Sequence, residues 1–327
     1  MSSTTRSINL VDASIAQSTQ HKYNTAWNAF LHFCSSHLHH YSPTHHPSQL
    51  DQHLTTFINY LCNSGGSYDT AKNAVCAVKR KIITTVQLKQ SNLALKGWIK
   101  LKSDNKINRA PLTHKLSNLI AIVLAVNGEV GAAVATVIGF HCYLRVGELC
   151  DITLADVALA GDLRMDISMA TLGVIRLKRT KTGNNQQVAL LDPVVVSVLR
   201  RWCHQFGSVH SPHIPLFGVS RSRYQYLFKR AVTTLGLVHL PFSPHSLRHG
   251  GATHDFLRGI PPATIAFRGR WASTKSLTTY VQAGAVFLLL QHSIPIHVQQ
   301  IAQEVTICLE RLMFLLMMLY STMELLQ

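Results

Sequence analysis

The chain has 327 residues, enough for one large domain or two ordinary ones, each with its own hydrophobic core. Hydrophobic residues make up 47% and charged residues only 14%, yet the formal net charge is +16. This excess favours a polyanionic partner such as nucleic acid, with a basic surface of no function as the alternative. The seven cysteines show no regular spacing, which argues against a disulfide framework and favours buried thiols in a reducing compartment.

Neither end of the chain has the composition of a secretion signal or a membrane span. Residues 1–9 lack the apolar core of a signal peptide. The apolar run over residues 307–320 is too short to span a bilayer, and it contains Glu310 and Arg311. We therefore expect no membrane contact and an amphipathic or partner-binding segment at the C-terminal end.

Apolar periodicity predicts three helices in the first 90 residues. The first begins near Ser18, the second covers about 50–63 and the third covers about 69–88. The predicted apolar face of the first helix comprises Tyr23, Trp27, Phe30, Leu31 and Cys34. Together these elements predict a small helical domain.

The third predicted helix carries a basic stripe, formed by Lys72, Lys79, Arg80 and Lys81 with Lys89 beyond them. Positive charge on an otherwise amphipathic helix suits contact with phosphates, which gives affinity without sequence preference. A merely solvated helix face is an equally good interpretation of the same pattern.

Two segments of this region predict loops. Residues 37–47 are rich in His, Ser and Pro, and the histidine pairs at 39–40 and 45–46 could bind a metal. No acidic or cysteine partner lies at ligand spacing nearby, so we predict no metal site. The polar residues 103–111 predict a linker to a second domain.

The second domain is predicted to begin with helices over 114–126 and 130–143. Residues 182–185 then form a turn signal, which places Lys181 at the approach to a hairpin tip. Short strands are predicted over residues 163–169, 173–177 and 187–191.

Helical signals return after the strands. Asp192 and Pro193 are the residues that a helix start favours, and Gly207 ends that helix. A further helix is predicted over 221–235, and residues 244–280 predict three short helices interrupted by glycine and proline. The fold class is therefore mostly α with a small antiparallel β-sheet (α+β).

Three clusters carry chemically reactive residues: residues 143–149, residues 244–253, and residues 269–271 with Tyr280 nine positions after Trp271. A phenol can attack phosphorus and store the phosphodiester energy as a covalent ester. Its usual pKa of about 10 makes it inert at neutral pH without help from cations or a base. Guanidinium groups suit the developing negative charge, and lysine or histidine can protonate the leaving oxygen.

In order and spacing these clusters resemble the tyrosine recombinases, the phage integrase family. The resemblance implies a site-specific recombinase that breaks and rejoins DNA strands through a 3′-phosphotyrosyl intermediate, without a cofactor. It implies double-stranded DNA as partner and a homotetramer on two DNA sites. The implied domains are a core-binding (SAM-like) DNA-binding domain over 1–107 and a catalytic domain over 108–285. The apolar tail over 286–327 does not resemble the tails of the family, and its docking to a neighbouring protomer is a hypothesis based on its apolar residues.

The resemblance also assigns roles to individual residues. Arg145 and Arg248 would bind the scissile phosphate, with Glu148 orienting its neighbours. Trp271 would pack under the phosphate and donate its indole N–H, and Tyr280 would be the nucleophile. The implied catalytic set is Arg145, Lys181, His245, Arg248, Trp271 and Tyr280, supported by Glu148 and His249.

Proton transfer would fall to the remaining residues of this set. Lys181 would be the general acid, with Lys178 as second choice, and His245 would handle a proton. His249 is expected to be a supporting, packing histidine. Arg270 departs from the pattern by placing a charge beside the tryptophan, where it would contact DNA or face water.

The motifs differ in specificity, and two rivals remain open. Arg-x-x-Glu alone is common in helices, whereas His-x-Leu-Arg-His-Gly-x-Ala-Thr followed by the spaced Trp and Tyr is strong. A type IB topoisomerase uses similar chemistry as a monomer, and a non-catalytic DNA-binding protein could derive from a mobile element. The histidine- and cysteine-rich composition suggests a eukaryotic mobile element, whose enzyme would act in the nucleus; a prokaryotic one would act in the cytoplasm.

Overall fold

The computed structural model describes residues 14–38, 49–82, 87–101, 110–160, 173–180 and 183–325. The chain divides into two compact units, Met1–Lys106 and Ile107–Gln327. Helices dominate, and the described strands form one three-stranded antiparallel sheet, so the predicted fold class is confirmed. Within the described residues, no helix combines the length and apolar character needed to cross a bilayer.

The first unit contains a helical core built on aromatic side chains. Phe30 lies 5.4 Å from Phe57, and Phe33 lies 5.3 Å from Phe57, between ring centroids. Leu31, predicted on the apolar face, is instead exposed, because the buried stripe of its helix consists of Ala26, Phe30, Phe33 and Cys34. The helices of this unit are α1 (Gln17–His37), α2 (Leu50–Asn63), α3 (Tyr68–Lys81) and α4 (Lys89–Leu101).

Helix α4 was not predicted, and α3 ends earlier than expected. The reason lies in a cap supplied from elsewhere in the chain. The Asp51 carboxylate of α2 accepts the backbone N–H groups of Gln90 (2.8 Å) and Ser91 (2.9 Å) at the start of α4. A helix start normally reveals itself by its own Ser, Thr, Asp or Asn. Here the capping residue is about 40 positions away, which a local pattern does not disclose.

The predicted basic stripe lies on α3, except that Lys89 belongs to α4. Lys72, Lys79 and Lys81 are exposed, and Arg80 donates a hydrogen bond to the Ser14 hydroxyl at 3.2 Å. Contact of these residues with phosphates stays a prediction.

The second unit is built around two helices, α5 and α6, that are apolar on nearly every side and therefore buried. Its helices are α5 (His114–Val126), α6 (Val130–His141), α7 (Val146–Cys150), α8 (Pro193–Gly207), α9 (Arg221–Thr234), α10 (Pro244–Leu257), α11 (Pro262–Gly269), α12 (Thr274–Thr278), α13 (Ala283–His292) and α14 (Ile296–Leu325). The predicted helices of this unit agree with these bounds to within about two residues.

The sheet has the order β1 (Val157–Leu159), β2 (Gly173–Thr180) and β3 (Gly183–Leu190). Its inward residues share one face, with Val157 paired to Ile175 and Ile175 paired to Val188. Strand β1 has only three residues, too few for a period to show in the sequence. The strand predicted over 163–169 lies outside the described residues.

The C-terminal segment packs onto its own unit. Helix α14 buries a side chain every three or four residues in the core that α5 and α6 share, and Asn118 of α5 donates a hydrogen bond to the Thr306 hydroxyl at 3.2 Å. Its buried stripe comprises Val298, Ala302, Val305, Leu309, Met313 and Met317. Among the described side chains of α14, the exposed apolar ones lie on the opposite face, with Ile307, Leu315 and Leu319.

Three histidines from α5, α6 and α10 pack together. His114 lies 5.2 Å from His141 and 4.9 Å from His254 between ring centroids. Burial, reinforced by the neighbouring histidines, lowers the pKa of His114 to about 3; for His141, burial outweighs the opposing field of Asp192 and the pKa falls to about 4. Desolvation also lowers the pKa of His254, against the field of Asp255. The folded protein therefore holds His114 and His141 neutral in mild acid.

We expect the free energy of unfolding to fall as the pH drops from about 6.5 towards 4, because unfolded histidines bind protons that the folded ones exclude. The substitution His114→Gln should reduce the slope of unfolding free energy against pH by about 1.4 kcal/mol per pH unit. Denaturant unfolding across this range measures it, with the exposed His213→Gln as matched control. Equal slopes in both variants would contradict the expectation.

Candidate active site

Helix α10 carries the His-x-x-Arg motif and lies unusually close to its neighbours. A Cβ at Gly250 would overlap the Leu112 carbonyl oxygen, and a Cβ at Gly251 would overlap that of Phe140. These glycines, followed by the fully buried Ala252, let α10 pack directly against two backbones. The small residues of the motif thus fix where α10 holds its functional side chains.

Arg248 of α10 has no exposed surface. Its guanidinium donates to the backbone carbonyls of Tyr143 and Gly269, the latter at 2.6 Å. The guanidinium carbon lies 4.4 Å from the ring centroid of Trp271 and 5.3 Å from that of Tyr280. Burial, with the fields of nearby arginines, lowers the pKa of Arg248 to about 10, so it stays a cation at neutral pH.

Tyr280 lies within a cluster of rings. Its centroid is 4.7 Å from Trp271, 4.6 Å from His249 and 5.8 Å from His245. The hydroxyl of Thr253 donates to the Tyr280 carbonyl at 3.2 Å and so ties this segment to α10. The Trp271 indole N–H is buried and has no hydrogen-bond partner among the described residues, which leaves a donor for an anion.

Glu148 links two arginines. Its Oε1 accepts from Arg145 Nη1 at 2.6 Å, and its Oε2 accepts from Arg270 Nη2 at 2.6 Å. Oε2 also accepts the backbone N–H of Arg145 at 2.9 Å, which caps the short helix α7. Arg270 was expected to contact DNA or face water; its side chain is only 6% exposed and points inward, so it does not face water.

The lysine assignments have different outcomes. Lys181 lies outside the described residues. Lys178 of β2 is held by Asp156 at 2.9 Å, and its amine also donates to the Thr153 hydroxyl at 3.2 Å. Asp156 additionally accepts two hydrogen bonds from Arg176, at 3.0 and 2.9 Å. Sequence reasoning missed Asp156, since only the fold brings it opposite β2.

The second unit thus brings together most of the predicted site: Arg145, Glu148, His245, Arg248, His249, Trp271 and Tyr280. The predicted DNA-binding residues Lys72, Lys79, Arg80 and Lys81 belong to the first unit. Within the described ranges, no group of three or more His, Cys, Asp or Glu side chains could hold a metal ion. The assembled residues offer two guanidiniums, a phenol, two imidazoles and an indole donor, which suits a phosphodiester.

Several solved structures are similar to the chain, although no curated protein matches it. A lambda integrase fragment, a dimer bound to a core site, superposes with a TM-score of 0.59 at 17% identity, covering 84% of this chain and 92% of that one. A lambda integrase tetramer on a Holliday junction gives 0.58 at 16%, covering 84% and 74%. The Tn1549 transposon integrase with transposon right-end DNA gives 0.57 at 13%, covering 86% and 96%. At these identities the likeness shows a shared fold.

Family membership rests on the sequence match. Residues 112–285 match the phage integrase family, which is more than half of the 327 residues. The matched range contains Arg145 and also Arg248, whose buried guanidinium lies against the rings of Trp271 and Tyr280. The chain therefore belongs to the phage integrase family and is a tyrosine-type DNA recombinase.

Proposed function

We propose that the protein is a site-specific DNA recombinase that breaks and rejoins strands through a 3′-phosphotyrosyl intermediate. The observation that carries the proposal is the position of Tyr280, whose ring lies 5.3 Å from the guanidinium carbon of Arg248 and against Trp271. A nucleophile beside a fixed cation and an unpaired N–H donor is the arrangement that phosphoryl transfer requires.

In the proposed step the Tyr280 oxygen attacks the scissile phosphorus and forms a new O–P bond, while the bond from phosphorus to the 5′-oxygen breaks. The phenol proton passes to a base, for which His245 is the candidate. The 5′-oxygen takes a proton from a general acid, for which Lys181 is the candidate by resemblance. One diester replaces another, so attack by a 5′-hydroxyl reverses the step and rejoins a strand without an external energy source.

Double-stranded DNA is the proposed substrate, supported by the net charge of +16 and by the DNA in the complexes of similar fold. We propose that the helical first unit contacts DNA phosphates through the basic stripe of α3, without preference for a DNA sequence. Four protomers on two sites are proposed by analogy with the lambda integrase tetramer, with the exposed face of α14 as one contact between them. Light scattering of the protein–DNA complex, which counts its protomers, tests this assembly.

A nicked suicide substrate, which loses the leaving strand after cleavage, tests the chemistry. The wild-type protein should form a covalent complex that withstands denaturing electrophoresis, and Tyr280→Phe should form none, because the attacking oxygen is gone. Tyr226→Phe is the matched control, since Tyr226 is 54% exposed on α9 and should keep full activity. Absence of an adduct from the wild type on its cognate site would favour the non-catalytic rival. Supercoil relaxation without synapsis would favour a topoisomerase-like activity.

A further inference from the structure

Arg270 adopts a backbone conformation that is costly for its residue type. It follows α11 with φ 56° and ψ 42°, the left-handed region in which helices commonly end on glycine. A side chain in this conformation costs about 1 kcal/mol or more relative to glycine. Tyr143, whose carbonyl accepts from Arg248, also has a positive φ, of 48°. Both strained residues thus border the same guanidinium.

Burial of the Arg270 side chain is also costly. Its Nε and Nη1 are buried without a hydrogen-bond partner among the described residues, and Glu148 satisfies only Nη2. Desolvation lowers the pKa of Arg270, while the field of Glu148 opposes that shift. An ion pair of this kind contributes little to stability, because desolvation offsets the attraction. Neither the backbone nor the side chain of Arg270 is explained by folding stability.

The charge balance of the site indicates a role for Arg270. Glu148 already pairs with Arg145, so its carboxylate neutralises one of the two arginines assigned to the phosphate. Arg270 occupies the other carboxylate oxygen, so Glu148 pairs with two guanidiniums while that of Arg248 binds backbone carbonyls. These three arginines and one carboxylate together carry a net charge of two positive units. A phosphodiester carries one negative charge, and its pentacoordinate transition state gathers a second one on the non-bridging oxygens.

We propose that Arg270 is a positioning residue of the recombination site: it shares Glu148 with Arg145, fixes that carboxylate and restores the positive charge that Glu148 removes. The inference rests on the proposed function, because it concerns the same phosphate. Arg270 acts through Glu148, and Arg145 remains the side chain that reaches the substrate, being 23% exposed against 6% for Arg270.

The test measures the rate of covalent adduct formation on two nicked substrates. One has an ordinary phosphodiester at the scissile position, and the other has an uncharged methylphosphonate at that position. On the phosphodiester, Arg270→Met should be about 10- to 100-fold slower than wild type, and Arg270→Lys, which keeps the charge, should lose less. On the methylphosphonate the deficit of Arg270→Met should shrink by at least about tenfold, because less charge then needs stabilising.

Two further variants separate this role from a structural one. Arg268→Met is the matched control: Arg268 lies in α11 and pairs with Asp255 rather than with Glu148. Any deficit it causes should be equal on both substrates. Arg270→Gly removes the backbone strain but also one of the two partners of Glu148, and these two effects on stability oppose each other. Its melting temperature should therefore stay close to that of wild type while its cleavage rate still falls.

The outcomes are distinguishable. The inference is overturned if the wild type forms an adduct and Arg270→Met either reacts at the wild-type rate or is slowed equally on both substrates. The proposed function would then still stand. A wild-type protein that forms no adduct on its cognate site refutes the proposed function and this inference with it.

Discussion

Replacing Arg248 by alanine should slow covalent adduct formation by about 100- to 1,000-fold, because a fixed cation that stabilises charge on the scissile phosphate is lost. The same change should lower the free energy of unfolding by about 2 to 5 kcal/mol. It leaves the carbonyls of Tyr143 and Gly269 without their donor and opens a cavity beneath Trp271. Single-turnover cleavage and denaturant unfolding measure the two effects separately.

Arg145→Ala is the informative companion to this variant. It should reduce cleavage to a similar extent but change the free energy of unfolding by only about 1 kcal/mol. The reason is that Glu148 keeps its pairing with Arg270 when Arg145 is removed. If a folded Arg248→Ala or Arg145→Ala protein cleaved at the wild-type rate, the assignment of that guanidinium to the phosphate would be wrong.

Replacing Gly251 by alanine should destabilise the protein strongly, although the change adds a single methyl group. The new Cβ would overlap the Phe140 carbonyl oxygen and come within 2.7 Å of the Tyr143 ring. Neither the Phe140 carbonyl nor the Tyr143 ring can move away easily, because Phe140 lies in the helix α6 and Tyr143 is fully buried. Overpacking of this kind costs about 1 to 3 kcal/mol and occasionally more.

Because α10 would have to shift, Gly251→Ala should also slow cleavage by displacing Arg248. Thermal unfolding and adduct formation report the two consequences. Gly284→Ala in α13 is the matched control: nothing lies within 4 Å of its added methyl group, so stability and cleavage should stay near the wild-type values. A Gly251→Ala protein as stable as the Gly284→Ala protein would refute the close approach of α10.

Local signals predicted much of the second unit. Asp192 and Pro193 predict the start of α8, and the Asp192 carboxylate accepts hydrogen bonds from the backbone N–H groups of Val194 and Val195. The nine-residue spacing of Trp271 and Tyr280 marked two residues of one predicted site, and their rings lie 4.7 Å apart, a contact that the spacing alone did not predict. These features depend on residues close in sequence, where pattern and geometry coincide.

Features that depend on distant partners could not be predicted. The cap of α4 comes from Asp51, and the pairing of Lys178 comes from Asp156. Arg270 is a charged residue next to an aromatic one, a pattern that fits a surface as well as an interior. Its inward orientation follows from its left-handed backbone conformation and from its hydrogen bond to Glu148, 122 positions away. The neighbouring sequence predicts neither feature.

The complete burial of Arg248 has a consequence for when the protein can act. Because its guanidinium has no exposed surface, contact with a phosphate requires covering side chains to move, and the rings of Trp271 and Tyr280 lie 4.4 and 5.3 Å from its guanidinium carbon.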